Sequence, residues 1–410
     1  MLYNTVGSLI YFACQWFMTV VIVRVSGYEL AGILSLAMTV TGAPAIIALF
    51  NVRSYQASDI DIKFTSQVYI RSRWISNVLA VIVCLITVIV ERYSHSKALT
   101  IMLFMGYKAI EGFADVFYGV EQRYERLDLA GISMGIRGIL TLGSFTLTDI
   151  MTNCVELSIV AVAVVNWATI MVYDYPKVRR FLSIERSENK KTLMKGAIEV
   201  IKICIPLAIV AFLNNYSINY LKIVFERYYG SELLAYYSSV ASPTLVVQLA
   251  ATTIFAPLIP ILTNFYQNID ARKFSRTIKN FVLLVTALSL ICIIGAKILG
   301  HWVLTMIFGQ GISDYTKYFV PIVFISIMLG VNACLFSVCT LIRELKTQYI
   351  IGAVGIITAF LCARSFVSSR GIEGLIMANM LTMLTQIAVQ LMLIVRNLKK
   401  HFNYKACVEE

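Results

Sequence analysis

Runs of about twenty apolar residues recur along the whole chain, separated by short polar stretches, and nothing constrains the fold more. A helix crossing a bilayer needs about 20 such residues, and it must satisfy its own backbone N–H and C=O groups because no water is there to do so. With 59% hydrophobic and only 14% charged residues among 410, the chain has apolar residues for about twelve spans, with no room left for a sizeable soluble domain. The runs predict spans near 2–23, 31–50, 75–90, 99–118, 132–150, 157–173, 198–218, 236–256, 281–299, 319–341, 349–366 and 372–395. The expected class is an all-α integral membrane protein. Met1 sits almost directly on an apolar run with no basic stretch before it, so a cleaved signal peptide is not expected.

The basic residues test this map, because Lys and Arg accumulate in cytoplasmic loops. With the N-terminus placed in the cytoplasm, 24 of the 35 Lys and Arg fall on the cytoplasmic side and nine on the other. The cytoplasmic set includes Arg53, Arg71, Arg73, Arg137, Arg186, Arg343 and the run from Lys177 to Lys195. Both termini are therefore expected inside. The net charge of +12 alternates across a bilayer instead of forming one stripe, which argues for anionic lipid headgroups and against nucleic acid as its partner.

The longest basic segment, YDYPKVRRFLSIERSENKKTLMKG, separates six spans from six. On either side lie RVSGYELAGILS (24–35) and RYYGSELLAYYS (227–238), which match at Arg24/Arg227, Gly27/Gly230, Glu29/Glu232, Leu30/Leu233 and Ser35/Ser238, always 203 residues apart. Both copies lie between the first and second span of their half. An even number of spans per half makes this a parallel repeat, with a substrate path expected between two lobes. The expected organisation is an N-terminal six-helix lobe at 1–173, a basic cytoplasmic linker at 174–196, a second six-helix lobe at 197–395 and a cytoplasmic tail at 396–410.

The costly residues are the informative ones. In the fourth span, Lys108, Glu111, Asp115, Tyr118 and Gln122 follow one another at helical spacing and share a face. A charged group at a helix centre costs about 2.5–3.5 kcal/mol on insertion scales, so such a face turns to the bundle interior or to a wet cavity. Two readings stand for Lys108 and Glu111: a self-neutralising i, i+3 pair, or the lining of a water-filled vestibule. Asn4, Ser8, Tyr11 and Gln15 share a face of the first span, Asn215, Asn219 and Lys222 a face of the seventh, and Asn379, Gln386 and Gln390 a face of the twelfth. These amides serve either as interhelical hydrogen-bond glue or as cavity lining. Arg364 reads as a snorkelling interface residue.

Enzymatic and metal chemistry find little support. The nine cysteines are scattered with no CxxC, the three histidines form no ligand motif, and no GxxxxGK phosphate loop occurs. The longest outer connection, GHWVLTMIFGQGISDYTKY, carries one His and one Asp and no catalytic set. No catalytic residue, cofactor or metal is expected.

Three stretches carry a family resemblance: RSYQASD (53–59), YGVEQRYERLDLAGISMGIRGIL (118–140) and INYLKIVFERYYGSELLAYYS (218–238). With the 6+6 span count, the chain resembles the polysaccharide (oligosaccharide-lipid) flippases of the multidrug/oligosaccharidyl-lipid/polysaccharide exporter superfamily. The resemblance implies two six-helix lobes rocking around a central cavity. It also implies movement of an undecaprenyl-pyrophosphate-linked oligosaccharide across a bacterial cytoplasmic membrane for capsule, O-antigen or exopolysaccharide synthesis. A monomer working beside a polymerase and glycosyltransferases is expected on the same grounds. Cation-lined cavities are a trait of such proteins, and Lys108 and Arg53 are the residues expected there, with Asn215, Asn219 and Gln15 as polar lining. Glu111 and Asp115 are the candidate ion-coupling carboxylates, since both lie on the cavity face. Two alternatives stay open: a cation-coupled multidrug-type antiporter of the same fold, whose usual acidic residue is missing from the first span here, and a membrane-embedded polysaccharide polymerase or ligase.

Overall fold

The computed structural model describes residues 2–59, 63–185, 189–342 and 345–406. Arg186 and Arg343, two of the basic residues counted above, and the last part of the tail, 407–410, lie outside them. The described residues are almost wholly helical. In chain order they form α1 (Leu2–Val25), α2 (Gly27–Leu49), α3 (Val52–Ser58), α4 (Ser66–Glu91), α5 (His95–Arg123), α6 (Leu127–Thr152), α7 (Val155–Thr169), a π-turn (Ile170–Asp174) and α8 (Tyr175–Leu182). There follow α9 (Lys190–Ala241), α10 (Leu245–Phe255), α11 (Leu258–Gln267), α12 (Ala271–Phe308), α13 (Phe319–Leu341), α14 (Leu345–Cys362), a second π-turn (Ala363–Val367) and α15 (Ser368–Ala406).

Nine helical segments among the described residues are long and apolar enough to cross a membrane. Two of them, Lys190–Phe255 and Lys346–Lys399, are broken by non-helical backbone at Gly230 and Gly371, so each supplies two spans. The helix α5 is less apolar, carrying Lys108, Glu111 and Asp115, but runs 29 residues, about 43 Å at 1.5 Å per residue. Each of the twelve expected spans thus has its helix. The apolar surface faces outward as lipid requires: Val282, Leu283, Ile291, Ile294 and Ile298 are exposed along α12.

The internal repeat has a backbone counterpart. Gly27 and Gly230 both hold positive φ, +82° and +86°, each at the break between the first and second helix of its half. Nothing lies within 4 Å of a Cβ built at either position, so glycine is needed there for the backbone conformation and not for space.

Packing divides the chain into two compact units, Met1–Asn215 and Tyr216–Glu410. In the first, Phe50, Val52, Tyr69, Phe117 and Val178 form a core that also takes in Val200, Cys204 and Ala208 of α9. The first part of α9 therefore packs with the N-terminal helices, and the division falls after the expected linker. The second unit has its own core of Phe255, Leu262, Phe274, Cys339, Ile351 and Ile394. Its polar amides turn inward: Asn379, Gln386 and Gln390 of α15 are all buried. Gln386 Oε1 accepts from Asn332 Nδ2 at 3.4 Å, and Gln390 Nε2 lies 3.9 Å from Cys339 Sγ, which is the interhelical-glue arrangement.

Two residues stand elsewhere than the charge count placed them. Arg73 is the eighth residue of α4, which starts at Ser66, and is 0% exposed; Arg137 is the eleventh of α6 and 2% exposed. Both lie inside the helix bundle and not in a cytoplasmic loop. Apolar content alone put the start of the third span nine residues too late, because the first turns of α4 are rich in Ser and Arg.

Candidate functional site in the first unit

The site is built on close helix contacts. Glycines Gly131, Gly135 and Gly138 line one side of α6 where Gly7 and Tyr11 of α1 approach. A Cβ on Gly131 would stand 2.2 Å from the Tyr3 carbonyl oxygen, and one on Gly138 would stand 2.8 Å from the Tyr11 Cα. Small residues let membrane helices approach backbone to backbone, and this contact sets Tyr11 against Arg137, with the guanidinium carbon 5.8 Å from the ring centroid.

Glu111 is the centre of the network. It is the 17th of 29 residues in α5, so it sits near the middle of the span. Its Oε2 accepts from Lys108 Nζ at 2.7 Å. Its Oε1 accepts from Tyr107 Oη at 2.6 Å and also from Tyr11 Oη. Gln15 Nε2 donates to Tyr107 Oη at 2.6 Å. Thus α1 and α5 meet through one carboxylate held by three donors. The side chains of Lys108 and Glu111 retain 26% and 17% exposure, whereas Tyr107 and Arg137 beside them are buried. The pair is therefore reachable from the surface of its unit, whereas Tyr107 and Arg137 are not. The Lys108 ammonium, 5.4 and 5.1 Å from the Phe104 and Tyr107 ring centroids, has three donors, of which the hydrogen bond to Glu111 uses one.

Arg137, buried beside it, is held through two of its three nitrogens. Its Nε donates to Asn166 Oδ1 at 2.9 Å and its Nη1 to Tyr118 Oη at 3.1 Å. Asn166 in turn donates to Thr141 Oγ1 and the Val162 carbonyl, both at 2.8 Å. This ties α5, α6 and α7 into one polar core.

Asp115 belongs to a second cluster, four residues beyond Glu111 and about 6 Å further along the same face of α5. Its Oδ2 accepts from Arg73 Nη2 at 2.7 Å, and Arg53 Nη1 lies 3.6 Å from its Oδ1. Arg73 Nη1 also donates to the carbonyls of Ala48 and Leu49 at 2.5 and 2.6 Å. These are C-terminal carbonyls of α2 with no partner within the helix, because the chain turns left-handed at Phe50 and Asn51. A buried cation at a helix C-terminus satisfies them and complements the dipole. Gly112 leaves the space for this, since a Cβ there would stand 2.8 Å from Asn77 Oδ1 and 3.5 Å from Arg73 Cδ. Arg53 completes the cluster through Gln122, its Nε 3.3 Å from Oε1, and lies over the Tyr118 ring at 5.7 Å.

Of the residues expected to act together, Lys108, Glu111 and Gln15 meet in one network, and Arg53 and Asp115 in the next. Asn215 and Asn219 are half-buried on α9 and fall on either side of the division between units. Arg137, Arg73 and Tyr107 were not among the expected site residues. For Arg137 the signal was present: it is a lone cation inside an apolar run, GISMGIRGILTLG.

Comparison with known proteins agrees with this architecture. No protein-family model matches the chain. A capsular polysaccharide biosynthesis protein, CapF of Staphylococcus aureus, is 24% identical over 311 residues, covering 75% of this chain and 76% of its own length. Among solved structures, an inward-facing multidrug-resistance MATE transporter of the MOP superfamily matches with a TM-score of 0.71 at 12% identity over 96% of both chains. A MOP-superfamily transporter from Pyrococcus furiosus, described by the reversed polarity of its binding pocket, matches with a TM-score of 0.60 at 13% identity over 97% of this chain and 95% of its own. A multi-pass membrane protein of about twelve helices, the chain has the fold of the MATE transporters of the MOP superfamily.

Proposed function

We propose that the chain is a flippase that moves an oligosaccharide linked to undecaprenyl pyrophosphate across a bacterial cytoplasmic membrane, without enzymatic chemistry of its own. The observation that carries this is the partly exposed Lys108 at mid-membrane, with donors to spare, held by Glu111. A pyrophosphate carries several acceptor oxygens and is drawn to such a cation in a low-dielectric site. Arg53 of α3, 28% exposed and 3.6 Å from Asp115 on the same face of α5 as Lys108, offers a second cation for an extended anionic head. The similarity to a capsular polysaccharide biosynthesis protein supports the same substrate class. In this reading a polymerase and glycosyltransferases supply and consume the lipid-linked unit, and both termini face the cytoplasm.

The second reading is a cation-coupled multidrug antiporter, favoured by the MATE transporters that share the fold. Against it, α1 contributes hydroxyl and amide groups but no carboxylate to the network; the carboxylate comes from α5. The experiment is deletion of the gene in its host, followed by assay of lipid-linked oligosaccharide in the inner leaflet. Accumulation that wild-type protein relieves and Lys108→Ala does not supports the flippase. No accumulation, with raised drug sensitivity, favours the antiporter.

A further inference from the structure

Asp115 lies between two arginines that hold it unequally. Arg73 Nη2 donates to its Oδ2 at 2.7 Å, and the Arg73 side chain is 0% exposed. Arg53 Nη1 stands 3.6 Å from its Oδ1, with 28% of the Arg53 side chain and 22% of the Asp115 side chain exposed. A closed hydrogen bond between a guanidinium and a carboxylate measures about 2.7–2.9 Å. The Arg73 contact is of that kind and the Arg53 contact is not. The other holds on Arg53 are loose as well: its Nε is 3.3 Å from Gln122 Oε1, and its guanidinium carbon is 5.7 Å from the Tyr118 ring centroid. The exposed cation is therefore set next to an anion without being closed onto it.

The reason lies in what else Arg73 does. Its Nη1 donates to the carbonyls of Ala48 and Leu49 at the end of α2, at 2.5 and 2.6 Å. The chain then turns left-handed at Phe50 and Asn51, with φ of 47° and 54°, and enters α3, where Arg53 is the second residue. One buried guanidinium thus fixes both the carboxylate and the turn that carries Arg53. Without it, Asp115 would be free to close onto Arg53 as a bidentate pair, in which each quenches the charge of the other. Among the described residues, the cluster brings two guanidinium groups within ion-pair reach of one carboxylate. The surplus positive charge falls on the exposed member, Arg53.

We propose that Asp115 is a positioning residue: a placeholder anion, anchored by Arg73, that holds Arg53 in place and yields it to a phosphate oxygen of the substrate. The identity of that anion rests on the flippase reading. The exchange needs neither a proton nor a covalent step. A phosphate oxygen at Arg53 replaces a 3.6 Å contact with a closer, charge-assisted one. Asp115 keeps its bond to Arg73 and is not left unpaired. On release, Arg53 returns to a waiting partner. Because Asp115 competes with the substrate for Arg53, it also holds the affinity below what the cations alone would give, and a carrier has to let go of what it binds. This is a different task from the ion coupling expected of Asp115 by sequence.

The test is a double-mutant cycle on the purified full-length protein, with inorganic pyrophosphate as the probe. Binding is measured calorimetrically at one fixed ionic strength, and thermal unfolding is recorded for each variant. Asp115→Asn keeps an acceptor for Arg73 and removes the competing charge. The expected result is pyrophosphate bound about two- to fivefold more tightly than by wild type, the range set by a partly exposed ion pair. Arg53→Gln should bind more weakly than wild type, and in Arg53→Gln/Asp115→Asn the gain from the asparagine should vanish. A purely structural Asp115 predicts equal or weaker binding in Asp115→Asn, and that result would overturn the proposal. An equal gain with and without Arg53 would also overturn it, because the effect would then be one of net charge. Should Asp115→Asn not fold, Asp115→Glu decides: its carboxylate keeps the charge and reaches one methylene further toward Arg53, so binding should weaken. Binding by Asp115→Glu as tight as wild type, or tighter, refutes the placeholder. Wild-type protein that binds no pyrophosphate overturns the exchange altogether, and the gene-deletion assay then decides separately whether the flippase reading stands.

Discussion

The sharpest test of the mid-membrane site separates its two readings, neutral packing pair and substrate contact, with the double variant Lys108→Ala/Glu111→Gln. Removing Lys108 alone strips Glu111 of its 2.7 Å partner. Truncating one member of a buried pair costs about 3–5 kcal/mol. The two tyrosine hydroxyls that remain on Oε1 each contribute about 1.5–3 kcal/mol to a charged acceptor, and the pair keeps some exposure, so the expected net loss is near 2 kcal/mol. In the double variant the glutamine keeps its tyrosine contacts and no charge is left unpaired, so stability should return to within about 1 kcal/mol of wild type. If Lys108 touches the anionic head of the substrate, export stays lost even though the fold is restored. Loss of one charge-assisted contact worth at least about 1.4 kcal/mol corresponds to a tenfold drop or more. The assays are thermal unfolding in detergent and polymer export in a deletion host, with membrane abundance measured alongside. Export at the wild-type level in the double variant would refute the substrate role and leave the pair purely structural.

Other expectations follow from single positions. Gly131→Leu should sharply reduce folded protein in the membrane, because even a Cβ there meets the Tyr3 backbone at 2.2 Å, whereas Gly143→Ala, with nothing within 4 Å, should be accepted; immunoblots of membrane fractions compare them. Gly230→Ala should lower stability by about 1–3 kcal/mol through backbone strain alone, since φ is +86° and ψ 167° with open space around the position; thermal unfolding reads it. Asp59 lies in the loop between α3 and α4, where burial raises its pKa but the backbone N–H groups of Lys63 and Phe64, the Tyr69 hydroxyl and Arg123 outweigh that and hold it below the usual carboxylate value. Its contribution to stability is therefore full above about pH 4 and is lost as pH falls through the lowered value, so Asp59→Asn should flatten the acid limb of a stability–pH curve without changing its sign elsewhere.

Much of this molecule is set by local chemistry. Apolar runs matched to a bilayer dictate the helices and their number. The matched glycines at 27 and 230 mark the same backbone break in each half, because only glycine takes that conformation without strain. Helical spacing alone placed Lys108, Glu111 and Asp115 on one face of α5, and charge cost alone turned that face inward. What spacing does not contain is the identity of the opposing helix. Periodicity describes one helix at a time, whereas partners depend on how closely helices approach. Here the glycine seam between α1 and α6 brings Tyr11 to Glu111 and Arg137 beneath it. The same limit applies to Asp115, which reads like Glu111 in sequence. Only in three dimensions is Asp115 seen to be held by two arginines, one of them capping α2, while Glu111 is held by two tyrosines and a partly exposed lysine. Charge is long-ranged in a low-dielectric interior, so what a carboxylate does is decided by which cations the fold sets beside it.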